Sequence, residues 1–147
     1  METYEEIKNF LDSHEGIEGI LTVDRDLIRE PSKSEFECAD RYVQKFGFNG
    51  LGKQWHLLNK EEAAELLSKI LHESLAYSVE MMPLKTAKHV ANKFLCQFEP
   101  WNSKFLSNGH ITENSAGWNS ITQSTMEMAV VVMDGKNIGI ICAEDED

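Results

Sequence analysis

Thr125-Met-Glu-Met-Ala-Val-Val-Val-Met133-Asp134-Gly135-Lys136-Asn-Ile-Gly-Ile-Ile-Cys-Ala143 is the stretch that decides the fold. Two β-prone runs, Thr125 to Met133 and Lys136 to Ala143, flank Asp134-Gly135. Asp-Gly between such runs predicts a hairpin with a type I′ turn, because both residues tolerate positive φ. Val130, Val131 and Val132 follow one another without polar alternation, so both faces of that strand are expected to be covered, with a helix on at least one side.

Working outward from the hairpin, the periodicity turns helical. Residues 35 to 46 carry Phe36, Ala39, Val43 and Phe46 at helical spacing behind Ser34 and Glu37, a capping-box pair, and stop at Gly47. Asn59 and Glu62 form a second such pair ahead of Ala63, Leu66, Leu67, Ile70, Leu71 and Leu75. Pro83 suits a first helical turn, and Leu84, Ala87, Val90, Ala91, Phe94, Leu95 and Phe98 line one face of a helix reaching Glu99-Pro100. Only a few residues separate these last two helices, which predicts an antiparallel helical hairpin. At the N-terminus, Tyr4, Ile7, Phe10 and Leu11 define a fourth amphipathic helix over 2 to 14. Ile17, Ile20, Leu21 and Val23 suggest a strand, Asp24 to Pro31 a polar connection, and Gln54 to Leu58 a short strand. Residues 101 to 120 read as a structured surface loop with one short strand at most. The expectation is an α+β fold: about four helices on a small, mostly antiparallel sheet, residues 1–147 forming a single domain without repeats or linkers.

At 147 residues the chain is long enough to remove roughly 70% of its unfolded surface from water in one core. With 41% hydrophobic and 27% charged residues it is an ordinary globular composition, needing neither crosslink nor metal to fold. The acidic opening lacks the basic and apolar segments of a secretory leader, and the longest apolar run, Met128 to Met133, is far too short to span a bilayer. Cys38, Cys96 and Cys142 are odd in number and widely spaced, which predicts reduced, mostly buried thiols and a cytoplasmic location.

Net charge is the most informative bulk quantity. Fourteen basic residues against 25 acidic give −11. Residues 1 to 40 hold 12 acids and 4 bases, 41 to 100 hold 6 and 8, and 101 to 147 hold 7 and 2. Negative charge therefore gathers at both ends of the chain. This argues against a nucleic-acid backbone or an anionic membrane as partner and favours a basic protein.

No pattern for catalysis, metal or cofactor emerges. There is no G-x-S-x-G, each cysteine lies in an apolar pattern that suppresses its thiolate, and His14, His56, His72, His89 and His110 lack zinc-ligand spacing. Gly47 to Lys53 has neither Walker nor dinucleotide spacing and reads as a turn. His110 with Glu113 is the one candidate acid/base pair. Trp101 and Trp118 are either plugs under a long loop or exposed anchors for a partner; with only Lys104 nearby they do not make a nucleic-acid stacking platform. Glu144, Asp145, Glu146 and Asp147 follow the last strand directly, as a solvated tail or as carboxylates for the Lys and Arg of a partner's groove.

Residues 118 to 147, with the hairpin and the Cys142-Ala-Glu-Asp-Glu-Asp147 ending, resemble the endings of small bacterial immunity proteins that accompany polymorphic toxins, including contact-dependent growth inhibition systems. The resemblance implies a cytoplasmic protein that binds one cognate toxin, often a nuclease, and masks its active site or substrate-binding face. No catalytic residue follows from it. The expected function is thus a non-enzymatic inhibitor of a basic, nuclease-like toxin, with no cofactor or metal. Its partner-binding residues would be Trp101, Trp118, Glu144, Asp145, Glu146 and Asp147. A small enzyme using His110 and Glu113, and a homo-oligomeric regulatory or structural subunit joined through a strand edge, are the alternatives.

Overall fold

The two β-prone runs form the centre of the sheet. In the computed structural model, which describes residues 3–112 and 115–146, they are β6 (Met126–Met133) and β7 (Asn137–Asp145). Around them pair β1 (Ile20–Leu27), β2 (His56–Leu58) and β3 (Lys104–Ser107) in the order β1-β7-β6-β3-β2, every neighbour antiparallel. The four helices are α1 (Tyr4–Ser13), α2 (Glu35–Gln44), α3 (Lys60–His72) and α4 (Leu84–Leu95), so the fold is α+β. A separate ribbon pairs β4 (Gly109–Ile111) with β5 (Ala116–Trp118).

Both faces of the sheet are covered, as the unalternating valines require. Met128, Val130 and Val132 of β6 pack with Ile7 and Leu11 of α1, Leu67 and Ile70 of α3, and Val90 and Phe94 of α4. The intervening Ala129, Val131 and Met133 pack with Ala39, Tyr42 and Val43 of α2, together with Trp55 and Ile121. Successive strand residues point to opposite faces, so one strand serves two apolar clusters. Gly139 of β7 sits tightly against the core: a Cβ there would lie 2.8 Å from Phe98 Cζ and 3.1 Å from both Phe94 Cζ and the carbonyl oxygen of Asp24.

Helix starts follow the expected caps. Ser34 Oγ accepts from Glu37 N at 3.2 Å, and Asn59 and Glu62 make both bonds of a capping box. Helix ends differ: α3 stops at His72 and α4 at Leu95, leaving residues 73–83 as a longer connection than expected. The two helices still pack as a hairpin, α4 starting where His72 Nδ1 meets the carbonyl of Met82 at 2.7 Å. Cys96, just past α4, is exposed rather than buried, whereas burial, then the charges of Glu144 and Glu127, push the Cys142 thiol well up.

Three further readings are corrected. Asp24 to Leu27 belong to β1 rather than to a connection, because Asp24 and Asp26 face α2, where Tyr42 Oη donates to Asp24 at 2.7 Å and Lys45 Nζ meets both carboxylates. Residues 101 to 120 contain three strands, one of them inside the main sheet; Phe105, Leu106, Ser107, Asn108 and Gly109 are buried. Finally, neither Asp134 nor Gly135 has positive φ, so the turn is not type I′. Asp134 instead closes it, Oδ1 accepting from Lys136 N and Asn137 N at 2.7 Å each and Oδ2 from Glu99 N at 2.9 Å. Burial alone would raise this carboxyl, yet the three N–H donors hold it below the usual aspartate range.

Among the described residues no helix is long and apolar enough to cross a membrane, and no group of three or more His, Cys, Asp or Glu could hold a metal ion.

Candidate functional site

The hairpin fixes which charged residues share an end of the molecule. Leu27 pairs with Asn137 at one end of β1 and Ile20 with Glu144 at the other, so the segment before β1 runs beside the C-terminal acids. Gly19 lies so close to the Glu144 carbonyl that a Cβ would collide with it. Positive φ (+74°) at Gly19 lets the chain turn into the strand there.

Two more segments meet this end. The α3–α4 connection is tied in from both sides: Ala76 N donates to Asp145 Oδ2 at 3.1 Å, His14 Nε2 donates to the Met81 carbonyl at 2.6 Å, and Glu18 N meets Met81 Sδ at 3.3 Å. Within it Glu73 and Glu80 form an antiparallel bridge, and Ser78, with φ 52°, is the one described non-glycine residue at positive φ. The loop before β6 supplies Ser124 Oγ to Glu144 at 2.9 Å and Thr125 N to Glu146 at 3.3 Å. It is organised by Glu127, wholly buried, whose carboxylate accepts from Ile121 N, Thr122 N and Thr122 Oγ1.

Residues 14–20, 73–81 and 143–146 thus contribute seven carboxylates, Glu15, Glu18, Glu73, Glu80, Glu144, Asp145 and Glu146, and these segments and the 122–126 loop beside them hold not one Lys or Arg. None of the seven is paired with a Lys or Arg among the described residues. Elsewhere several acids are paired with cations: Asp26, for example, meets Lys45 at 2.9 Å and Arg29 at 2.8 Å, and the Lys45 hydrogen bond, with the Leu27 N–H, lowers its carboxyl to about 2. Amid the unpaired acids stand three exposed apolar side chains, Tyr77 at 70%, Ile20 at 61% and Val79 at 46% exposure. Apolar anchors in a charged surround are the energetic layout of tight protein interfaces.

The sequence-derived site residues separate. Glu144 and Asp145 are the last residues of β7 rather than a tail, half-buried, and Glu146 follows them exposed; Asp147 and Glu113 lie outside the described residues. Trp101 is 83% exposed, but in the short 3-10 turn Pro100–Asn102 beside Asp134-Gly135, near Lys104 and Lys136. That is the other end of β7, roughly 25 Å from the acids at about 3.3 Å per residue, so the expected grouping of both tryptophans with the carboxylates does not form. Trp118 does lie at the acidic end, in β5, but it is half-buried against the α1/α3/α4 core and makes a wall instead of a projecting anchor. His110 is exposed on β4 and stacks on His56, ring centroids 6.5 Å apart.

The sequence reading missed Tyr77, Ile20, Val79, Glu15, Glu18, Glu73 and Glu80. One signal existed for Tyr77, Val79, Glu73 and Glu80: residues 70 to 84 contain two acids and no Lys or Arg, inside the slightly basic stretch 41 to 100. No family model, curated protein or solved structure matches this chain.

Proposed function

We propose that this chain is an inhibitor that binds a basic protein in the cytoplasm, as an immunity protein binds a nuclease-like toxin, and that it docks through the acidic end of the sheet. The observation that carries this reading is the meeting of seven carboxylates from three separate segments, with no Lys or Arg paired to them among the described residues, around Tyr77, Ile20 and Val79. Such an array has little to do with folding, since like charges held together cost stability. It has a clear use in capture: a single-sign surface steers an oppositely charged partner and raises its association rate by about 10- to 1,000-fold. The apolar side chains in its midst then supply the desolvated contacts that slow dissociation.

The test is association with a panel of basic nucleases and with the product of the gene next to this one, followed at several salt concentrations. Changing Glu15, Glu18, Glu80, Glu144 and Glu146 together to Gln is expected to slow association at least tenfold and flatten its dependence on ionic strength. Tyr77→Ala is expected to accelerate dissociation by about 30-fold or more, the effect of losing roughly 2 kcal/mol at an interface anchor. An unchanged association rate and salt slope in the five-fold variant would sink the proposal.

A further inference from the structure

Beside the acidic docking face a cavity of about 430 Å³ opens between the end of α3, the loop after it, β5 and the start of β6. Its walls are Leu75, Trp118, Met126 and Met128, with Glu73 at the rim. Ser74 and Ser78 also line it, so the loop that carries Tyr77 outward forms the cavity's edge on its inner side. The volume lies within the roughly 300–1,000 Å³ of pockets that enclose small groups.

The chemistry of these walls is selective. Met126, Met128 and Leu75 are apolar, and two of them are flexible thioethers that adapt to an inserted chain. Trp118 is the best of the side chains for a cation lying over its ring. Glu73 is 46% exposed, and among the described residues its ion-pair contact is with His72 Nε2 at 3.7 Å. Lys69 borders the cavity too, but its ammonium is occupied, bonded to the Ile111 carbonyl at 3.2 Å and lying 3.4 Å from Glu65. A long apolar stem ending in a cation matches all three features: stem on the methionines, head over Trp118, charge against Glu73.

We propose that this cavity receives an arginine or lysine side chain of the basic partner, inserted beside the Tyr77 loop. The proposal rests on the inhibitor reading and adds to it a specific recognition pocket. In a Trp101→Phe background, where Trp118 and the buried Trp55 are the remaining indoles, the protein is titrated with a tetra-arginine peptide and with its uncharged tetra-citrulline counterpart, and shifts of backbone amide, indole N–H and methionine methyl resonances are recorded by NMR. Saturable shifts at Trp118, Met126 and Met128 with the arginine peptide, at least tenfold weaker binding of the citrulline peptide, and about fivefold weakening in Glu73→Gln are expected. Shifts confined to Tyr77, Glu144 and Glu146 would overturn the pocket while leaving the docking face intact. Equal binding of the two peptides, no shift at Trp118, or shielding of Trp118 by self-association as protein concentration rises would each overturn the pocket as well. The inhibitor reading stands or falls separately, on association of the chain with a basic nuclease or with the product of the neighbouring gene.

Discussion

Asp134 shows how a single side chain can carry a turn. Its carboxylate satisfies three backbone N–H groups, two in the turn and one from Glu99 in the chain leading to β3. Asp134→Ala leaves these donors without their charged acceptor and is expected to cost about 1–3 kcal/mol in urea unfolding. The sign of the pH effect follows from the lowered carboxyl. Its stabilisation is complete above the ordinary aspartate value and drains away as pH falls through the depressed one, so the gap between wild type and variant should close in acid. A gap that is constant down to the acid limit would show that the carboxylate's charge is irrelevant. Glu127 plays the same part for the loop before β6, entirely out of solvent. From sequence, Asp134 was visible as a turn residue, but its role was misassigned: Asp-Gly suggested positive φ, whereas the side chain's hydrogen bonds settle the turn by another route.

Among the elements, β6 and β7 were the most legible and β3 the least. Six consecutive residues without a polar side chain, Met128 to Met133 in β6 and Ile138 to Ala143 in β7, can be buried on both faces only in a central strand, so the hairpin announced its own position. Lys104–Ser107 has four residues and no such run; its neighbours Ser103, Asn108 and Gly109 look like loop, and pairing with β6 makes it a strand. Asn108 shows the same dependence on context, its Oδ1 accepting from Ala129 N at 2.8 Å where the β3–β6 ladder stops. The packing of α4 on β7 yields a test at this scale. Gly139→Ala places a methyl against Phe98, Phe94 and the Asp24 backbone, two aromatic rings fixed in the core and one carbonyl in the sheet. A loss of about 1–3 kcal/mol is expected on chemical denaturation. A change below about 0.5 kcal/mol would mean that the rings move aside freely.

Across the whole molecule the dominant feature is the gathering of acids without Lys or Arg partners at the Glu144 end of the sheet, whereas at the Trp101 end acids and lysines mix, Lys136 lying 3.9 Å from Glu99. Raising ionic strength from about 0.01 M to 0.15 M shortens the screening length from roughly 30 Å to 8 Å, which should relieve repulsion among the clustered carboxylates. The melting temperature is expected to rise by about 2–4 °C, the equivalent of roughly 1 kcal/mol for a chain of this size. In the variant with Glu15, Glu18, Glu80, Glu144 and Glu146 changed to Gln the rise should be much smaller, as read by calorimetry at the two salt levels. An equal rise in both proteins would place the repulsion elsewhere.

What the sequence by itself determined was local and periodic: the α+β class, the starts of α2 and α3 from their capping residues, the central hairpin from its unbroken apolar runs, and the excess of acid at both chain ends. These follow from patterns that act over a few residues, such as helical spacing, capping hydrogen bonds and β-branching. Only the tertiary structure decided which acids become neighbours. The antiparallel pairing of β1 with β7 brings Glu18 beside Glu144 and leaves Trp101 at the far end, and the α3–α4 connection adds Tyr77, Glu73 and Glu80. A surface assembled from three distant segments is a property of strand order and register, and no window of neighbouring residues contains it.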